Sequence, residues 1–315
     1  MTSLAPMGQE FSYAAQQFLN AVQLATFYVP LAVAFALIQA ITRRVFLSFG
    51  DITMFGSFAA VYICFERLVQ GDGDLVAGLW GLVAALLCAA ALGALVARVV
   101  FKPLIERSAQ AFMITSVGLS IVLEEFMRLQ SQGRDIWIPP LFQGSVFVIW
   151  PGPPSLQITA INLFSILLSM VMVAATVLVL RWTRFGRNWQ ACAQEMALAK
   201  LCGVNSSAVI EQTFMLGSAL SATSGWIAAI SYGGTSFSSG IMLGFKAMFA
   251  AVIGGFGSIR GAILGAISLA SLEVLWSAVF GTTYRDVGVF SIIIFVLLLR
   301  PEGLAGIAQH RESEA

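Results

Sequence analysis

Few residues in this sequence are able to do chemistry, and the informative ones are charges set inside apolar runs. Lys246 lies in a stretch of Leu, Phe, Ala and Met, and Glu273 lies well inside another apolar run. Asp51 sits near one end of a third run, and Glu124 with Glu125 toward one end of a fourth. A charge held in hydrocarbon is costly and as a rule faces a bundle interior or an aqueous path. Lys246 and Glu273 would each be cheaper to bury as a pair. Two readings of that pair stay open: a gate or substrate path, or a structural ion pair that fixes helix packing. Glu124 and Glu125 read as side chains that snorkel to the membrane surface.

No enzyme site is visible. The single histidine, His310, falls in the C-terminal tail. None of Lys102, Lys200 and Lys246 follows a glycine, so the G-x-x-x-x-G-K-[ST] phosphate loop is missing. Any ATP that drives this chain must then be hydrolysed by a separate polypeptide. Cys64, Cys88, Cys192 and Cys202 form no CxxC pair, which points away from a zinc site or a disulfide framework. No catalytic residue, cofactor or metal is expected.

The elements that position these charges must be membrane helices. Of the 315 residues, 58% are hydrophobic and 10% charged, where soluble domains carry about a quarter charged residues. Mean hydropathy is +0.88. A net charge of +1 gives no reason to expect nucleic-acid binding. Nine apolar segments are visible, over 18–41, 46–65, 76–97, 108–128, 161–181, 209–231, 241–259, 261–280 and 286–300. Several approach or exceed the roughly 20 residues a helix needs to span a bilayer. The last is short and stops at Arg300-Pro301, where proline ends a helix. The second and seventh are rich in Gly and Ser and carry a charge, which also suits broken or re-entrant helices. The expected fold is an all-α polytopic bundle of about 8–10 transmembrane or re-entrant segments, forming one domain over 1–315.

Loop cations orient the bundle, because cytoplasmic loops are enriched in Lys and Arg. With the N-terminus outside, inner loops hold the twelve cations Arg43, Arg44, Arg98, Lys102, Arg107, Arg181, Arg184, Arg187, Lys200, Arg260, Arg300 and Arg311. Outer segments hold the four Arg67, Arg128, Arg134 and Arg285. The expectation is an outer N-terminal segment 1–17, an outer loop 130–159, a cytoplasmic loop 182–208 and a cytoplasmic tail 301–315. Met1 to Gln17 has no Lys or Arg before the first apolar run, so a cleaved signal peptide is not expected.

Three further features bear on function. The outer loop, with Trp137, Pro139, Pro140, Trp150 and Pro151-Gly152-Pro153-Pro154, suits a segment lying on the membrane surface or touching a partner. In the inner loop, 188–201 reads as a short helix started by Asn188 and ended before Gly203. It is kept slim by Ala191, Ala193, Ala197 and Ala199, so it fits a docking piece or an amphipathic interfacial linker. Gly254, Gly255, Gly257 and Gly261 suit close helix packing, and as a glycine-rich turn also a hinge. Segments 47–58 and 243–251 echo each other and run in opposite directions in this topology, as an inverted repeat would.

The chain resembles the branched-chain amino-acid ABC permease family, its LivH-type branch, nearly end to end. Residues 244–262, from Gly244 through Lys246 to Gly261-Ala262, are close to the family pattern G-x-K-A-F-x-A-A-V-L-G-G-x-G-S-I-P-G-A. Tyr284-Arg285-Asp286 and residues 299–304 match its C-terminal signatures. Phe185-Gly186-Arg187, Ala193 with Glu195, and Leu201 with Gly203 and Asn205 match its cytoplasmic coupling segment. Lys102-Pro103-Leu104 matches the family's R-P-[LV] turn, and Phe55-Gly56-Ser57-Phe58 its G-[AS]-Y helix. The resemblance implies a permease subunit of an ABC importer in the bacterial inner membrane, carrying branched-chain or other hydrophobic amino acids. It also implies a second, LivM-like permease, two cytoplasmic ATPases and a periplasmic solute-binding protein, with 188–201 as the coupling helix seated on an ATPase. Arg260 replaces the family's proline, Phe46 and Phe49 its Asn and His, and Glu124-Glu125 a Gln-Asn pair. Those departures leave urea, short amides or other amino acids open as solutes. An ion-coupled transporter or channel using Asp51, Lys246 and Glu273 is the rival class.

Overall fold

The computed structural model describes residues 4–299 except 105–107, 140, 142–144, 151–155 and 256. Arg107, Pro140, the Pro151 to Pro154 run, Phe256, His310 and the 301–315 tail therefore lie outside the described residues.

Each of the nine apolar segments forms a helix. In chain order they are α1 (Leu4–Thr42), α2 (Phe49–Val69), α3 (Asp74–Val96), α4 (Ala109–Gln130), α5 (Ala160–Trp182), α8 (Ser206–Tyr232), α9 (Ser239–Gly254), α10 (Ile259–Phe280) and α11 (Arg285–Leu299). The two short helices α6 (Arg184–Gln194) and α7 (Met196–Leu201) fall between α5 and α8. A π-helical turn, Ala97–Phe101, extends α3. Among the described residues strands are confined to connections: β1 (Ile136–Trp137), β2 (Ser145–Trp150), β3 (Leu156–Thr159) and β4 (Gly234–Thr235). The chain is an all-α polytopic membrane protein.

Among the described residues, six helices are long and apolar enough to cross a membrane: α1 over 13–42, α2, α3 with its π turn, α5, α8 and α10. The other three apolar helices fall short for physical reasons. At about 1.5 Å per residue, the 16 residues of α9 reach about 24 Å, under the roughly 30 Å of a bilayer core. The described part of α11 has 15 residues, and α4 carries Glu124, Glu125 and Arg128. The first helix corrects the expected boundary at residue 18. Helix runs from Leu4, and it continues through Pro30 without interruption.

Small residues set the packing. Added Cβ atoms at Gly56, Gly93 and Gly225 would strike Ala222, Ser218 and Ser57, so α2, α3 and α8 approach almost backbone to backbone. This is the contact available inside hydrocarbon, where burial of apolar side chains against lipid gains little. At one end of the bundle Phe46 sits between Phe101 and Phe214, with ring centroids 4.8 and 5.4 Å away, and Phe49 lies 6.3 Å from it. Phe46 and Phe49, the aromatic departures from the family pattern, thus fill an aromatic cluster with Phe101 and Phe214.

The connections sort into two groups. β1 pairs antiparallel with β4, which joins the 131–159 connection to the α8–α9 turn. The α1–α2 turn meets the other group: Arg43 donates to the carbonyls of Ala193 (3.1 Å) and Gln194, and Arg44 to that of Leu104 (3.0 Å). Arg98 and Glu211 pair at 2.7 Å between the end of α3 and the start of α8.

Candidate functional site

Four charges and a tyrosine meet from four helices, and a glycine-mediated contact sets two of those helices together. Gly254 and Gly261 lie so close that a Cβ on either would overlap the other's carbonyl, which draws α9 against α10. Gly255, at φ +97°, ends α9 in a conformation that L side chains rarely adopt. Gly257 follows in the same turn, and Ser258 Oγ accepts from the N–H of Gly261 at 3.1 Å to cap α10. Packing accounts for Gly254 and Gly261 directly.

That approach sets Lys246 of α9 beside Glu273 of α10. Lys246 Nζ lies 3.0 Å from Glu273 Oε1 and donates to the Tyr28 hydroxyl at 2.9 Å. Tyr28, on α1, donates in turn to Glu273 Oε2 at 2.8 Å. Glu273 is 1% and Lys246 8% exposed, so the pair is buried and closed by a third hydrogen-bonding group. Two charges at the start of α11 complete the centre. Asp286 Oδ1 is 3.4 Å from Lys246 Nζ, and Arg285 Nε is 3.7 Å from Glu273 Oε2 and 3.6 Å from Asp286 Oδ1. Two cations face two carboxylates, so the centre is neutral, the condition under which buried ions persist.

Two cavities flank it. One, of about 290 Å³, is lined by residues including Gln17, Asn20, Gln23, Tyr232, Glu273 and Arg285. The other, of about 300 Å³, includes Phe27, Met242, Leu243, Lys246, Arg285 and Asp286 among its lining. Arg285 lines both.

Asp51 does not join this centre. It is 1% exposed in the first turn of α2, where it accepts from Ser120 Oγ of α4. Gly50 and Gly240 leave no room for a Cβ, so the start of α9 lies against the start of α2 with Gly240 on the Asp51 carboxylate. The positive ends of two helix dipoles converge there, which favours a buried anion. Leu47 and Gly50 face Gly244 while Asp51 faces Gly240, so the two echoing segments cross antiparallel. Glu125 is exposed and paired with Arg128 at 2.5 Å, and Glu124 is half-buried on the same helix. Both stand apart from Lys246 and Glu273.

The expected helix over 188–201 is two helices. Asn188 lies inside α6; the cap is Thr183, whose hydroxyl accepts from the N–H of Gly186 at 3.2 Å. The break falls at Glu195, whose φ of −151° is extended. Gly203, at φ +82°, does follow the last helix. Trp189 donates to the Leu37 carbonyl of α1 at 3.4 Å, and with the Arg43 bonds it fixes α6 to α1. Ala191 and Ala193 are half-buried, whereas Arg187, Glu195 and Ala197 are exposed. Leu198 and Leu201 are exposed as well, at 60% and 84%.

Sequence reasoning paired Lys246 with Glu273 but left out Tyr28, Arg285 and Asp286. Tyr28 carries no charge that marks it within its apolar run. Arg285 and Asp286 were visible in the Tyr284-Arg285-Asp286 signature, but nothing local showed that the α10–α11 turn folds them back onto Glu273.

A family model described as the permease component of the branched-chain amino acid transport system matches residues 17–299. The chain is 33% identical over 301 residues to the high-affinity branched-chain amino acid transport system permease protein LivH of Escherichia coli strain K12, covering 95% of this chain and 98% of that one. It is 32% identical to LivH of Salmonella typhimurium, over the same shares of both chains. Identity to the permease protein BraD of Pseudomonas aeruginosa is 32% over 302 residues, covering 94% and 97%.

Proposed function

This chain belongs to the branched-chain amino acid transport permease family, and from that premise we propose that it forms part of an inward path for branched-chain amino acids. It is a transport subunit of an ABC importer and not an enzyme. Its place is the bacterial inner membrane, N-terminus outside and C-terminus in the cytoplasm. A second, LivM-like permease completes the path, two cytoplasmic ATPases drive it, and a periplasmic solute-binding protein delivers the solute.

The observation that carries this reading is the neutral centre of Tyr28, Lys246, Glu273, Arg285 and Asp286, shared by four helices and flanked by two cavities. Charges placed so are movable contacts: relative displacement of α1, α9, α10 and α11 changes which carboxylate each cation faces. The rest of the machine is the loop 182–208. Exposed Leu198 and Leu201 on α7 offer an apolar knob to an ATPase cleft, and α6 transmits its movement to α1 through Arg43 and Trp189. Since α1 carries Tyr28, nucleotide-driven motion at the loop reaches the charged centre along one helix.

The test is competitive uptake in a deletion strain and its parent. Labelled leucine uptake should fall in the strain lacking this chain, return with the gene, and be competed by isoleucine and valine but not urea. It should also vanish when the ATPase gene is removed. Uptake that survives loss of the ATPase but collapses with an uncoupler would replace this reading with an ion-coupled one.

A further inference from the structure

We propose that Arg285 and Asp286 bind the carboxylate and ammonium of an α-amino-acid zwitterion, with the solute's apolar side chain against Phe27, Met242 and Leu243. This rests on the reading of the chain as an amino-acid permease, and it names the groups that hold the solute.

The two residues differ from the rest of the charged centre in what they lack. Lys246, Glu273 and Tyr28 hold one another at 2.8 to 3.3 Å, with Glu273 Oε1 held by Lys246 through the 3.0 Å ion pair alone. Arg285 Nε is 3.6 and 3.7 Å from its two carboxylates, beyond the usual 2.7–3.2 Å range of an N–H···O bond. That nitrogen is buried without a hydrogen-bond partner among the described residues, and so is Asp286 Oδ1. Both side chains nonetheless line the cavity with about a third of their surface exposed, 34% and 32%, so a cation and a carboxylate side by side there are complementary to a ligand carrying the opposite pair.

Charge and shape restrict that ligand. Arg285 presents a planar fork suited to a carboxylate, and Asp286 is an acceptor for an ammonium. Because Lys246 and Arg285 already balance Glu273 and Asp286, a zwitterion leaves the centre neutral. A simple anion or cation would leave one charge buried without a counterpart. The cavity that holds both residues also exposes Phe27, Met242 and Leu243, and its volume of about 300 Å³ lies at the small end of ligand pockets. That suits a compact solute with one charged end and one apolar end.

Equilibrium binding to the complete transporter in lipid nanodiscs, without the solute-binding protein, tests the proposal. Labelled leucine should bind saturably and be displaced by isoleucine roughly tenfold better than by leucinamide, which lacks the carboxylate, or by 4-methylpentanoate, which lacks the ammonium. Arg285→Gln should weaken binding roughly tenfold or more, and Arg285→Lys should fall in between. The charge-balanced pair Arg285→Gln with Asp286→Asn should also lose binding while assembling like wild type on size exclusion. Wild-type affinity in Arg285→Gln, equal competition by leucinamide, or no saturable binding to the assembled wild type would overturn the site. ATP-driven leucine uptake by the same wild-type preparation is measured in parallel. Uptake that persists beside a failed binding result removes the site alone, and absent uptake removes the permease reading with it.

Discussion

Lys246 and Glu273 are the pair on which the path or packing question turns. Removing Lys246 alone, as Lys246→Met, leaves Glu273 at 1% exposure with only the more distant Arg285 as a cation. Breaking a buried ion pair in this way costs about 3–5 kcal/mol. The double variant Lys246→Met with Glu273→Gln carries no stranded charge and should recover most of that loss. Unfolding in detergent, run as a double-mutant cycle, measures it; a Lys246→Met protein as stable as wild type would contradict the geometry. The recovered double variant then separates the two roles. Stable protein without uptake is the outcome expected of a pathway contact, and full uptake would reduce the pair to a packing device. Asp51 differs in kind, because Ser120 and two helix starts accompany it where Lys246 and Glu273 have each other.

At the scale of elements, α6 and α7 divide the 182–208 loop into a half anchored on α1 and a half with exposed leucines. Leu201→Asp places a charge on the most exposed apolar side chain of α7. Uptake should fall roughly tenfold or more, as for loss of an interface anchor of 1.4 kcal/mol or greater, with membrane insertion unchanged. Unaltered uptake would deny the docking role. Arg43→Ala removes the bonds to the Ala193 and Gln194 carbonyls, so ATP hydrolysis should continue in the assembled complex while uptake falls. Equal loss of both would show that Arg43 only supports assembly. Helix existence was legible throughout, since every apolar run folded as one. Helix starts were less so: α6 begins at Arg184, and its cap is Thr183, five residues before Asn188. The Lys246–Glu273 pairing was readable because two opposite charges in hydrocarbon need each other. Arg285 was not, because its role depends on how the α10–α11 turn folds back.

For the whole molecule, the arrangement of connections makes a side-specific prediction. Among the four cysteines only Cys202 is exposed, and burial pushes the Cys192 thiol above its ordinary value, so Cys202 should react first with a membrane-impermeant maleimide. Labelling is expected in inside-out vesicles and not in sealed right-side-out ones, and docking of an ATPase on the neighbouring Leu201 should slow it. Labelling from the periplasmic side would reverse the orientation. The account as a whole meets its most direct test in proteoliposomes holding the complete transporter, with the solute-binding protein and leucine on one side and ATP on the ATPase side. Leucine accumulation that requires ATP hydrolysis, withstands an uncoupler and disappears when this chain is omitted is the predicted result. Accumulation without ATP, or undiminished by the chain's absence, would contradict it.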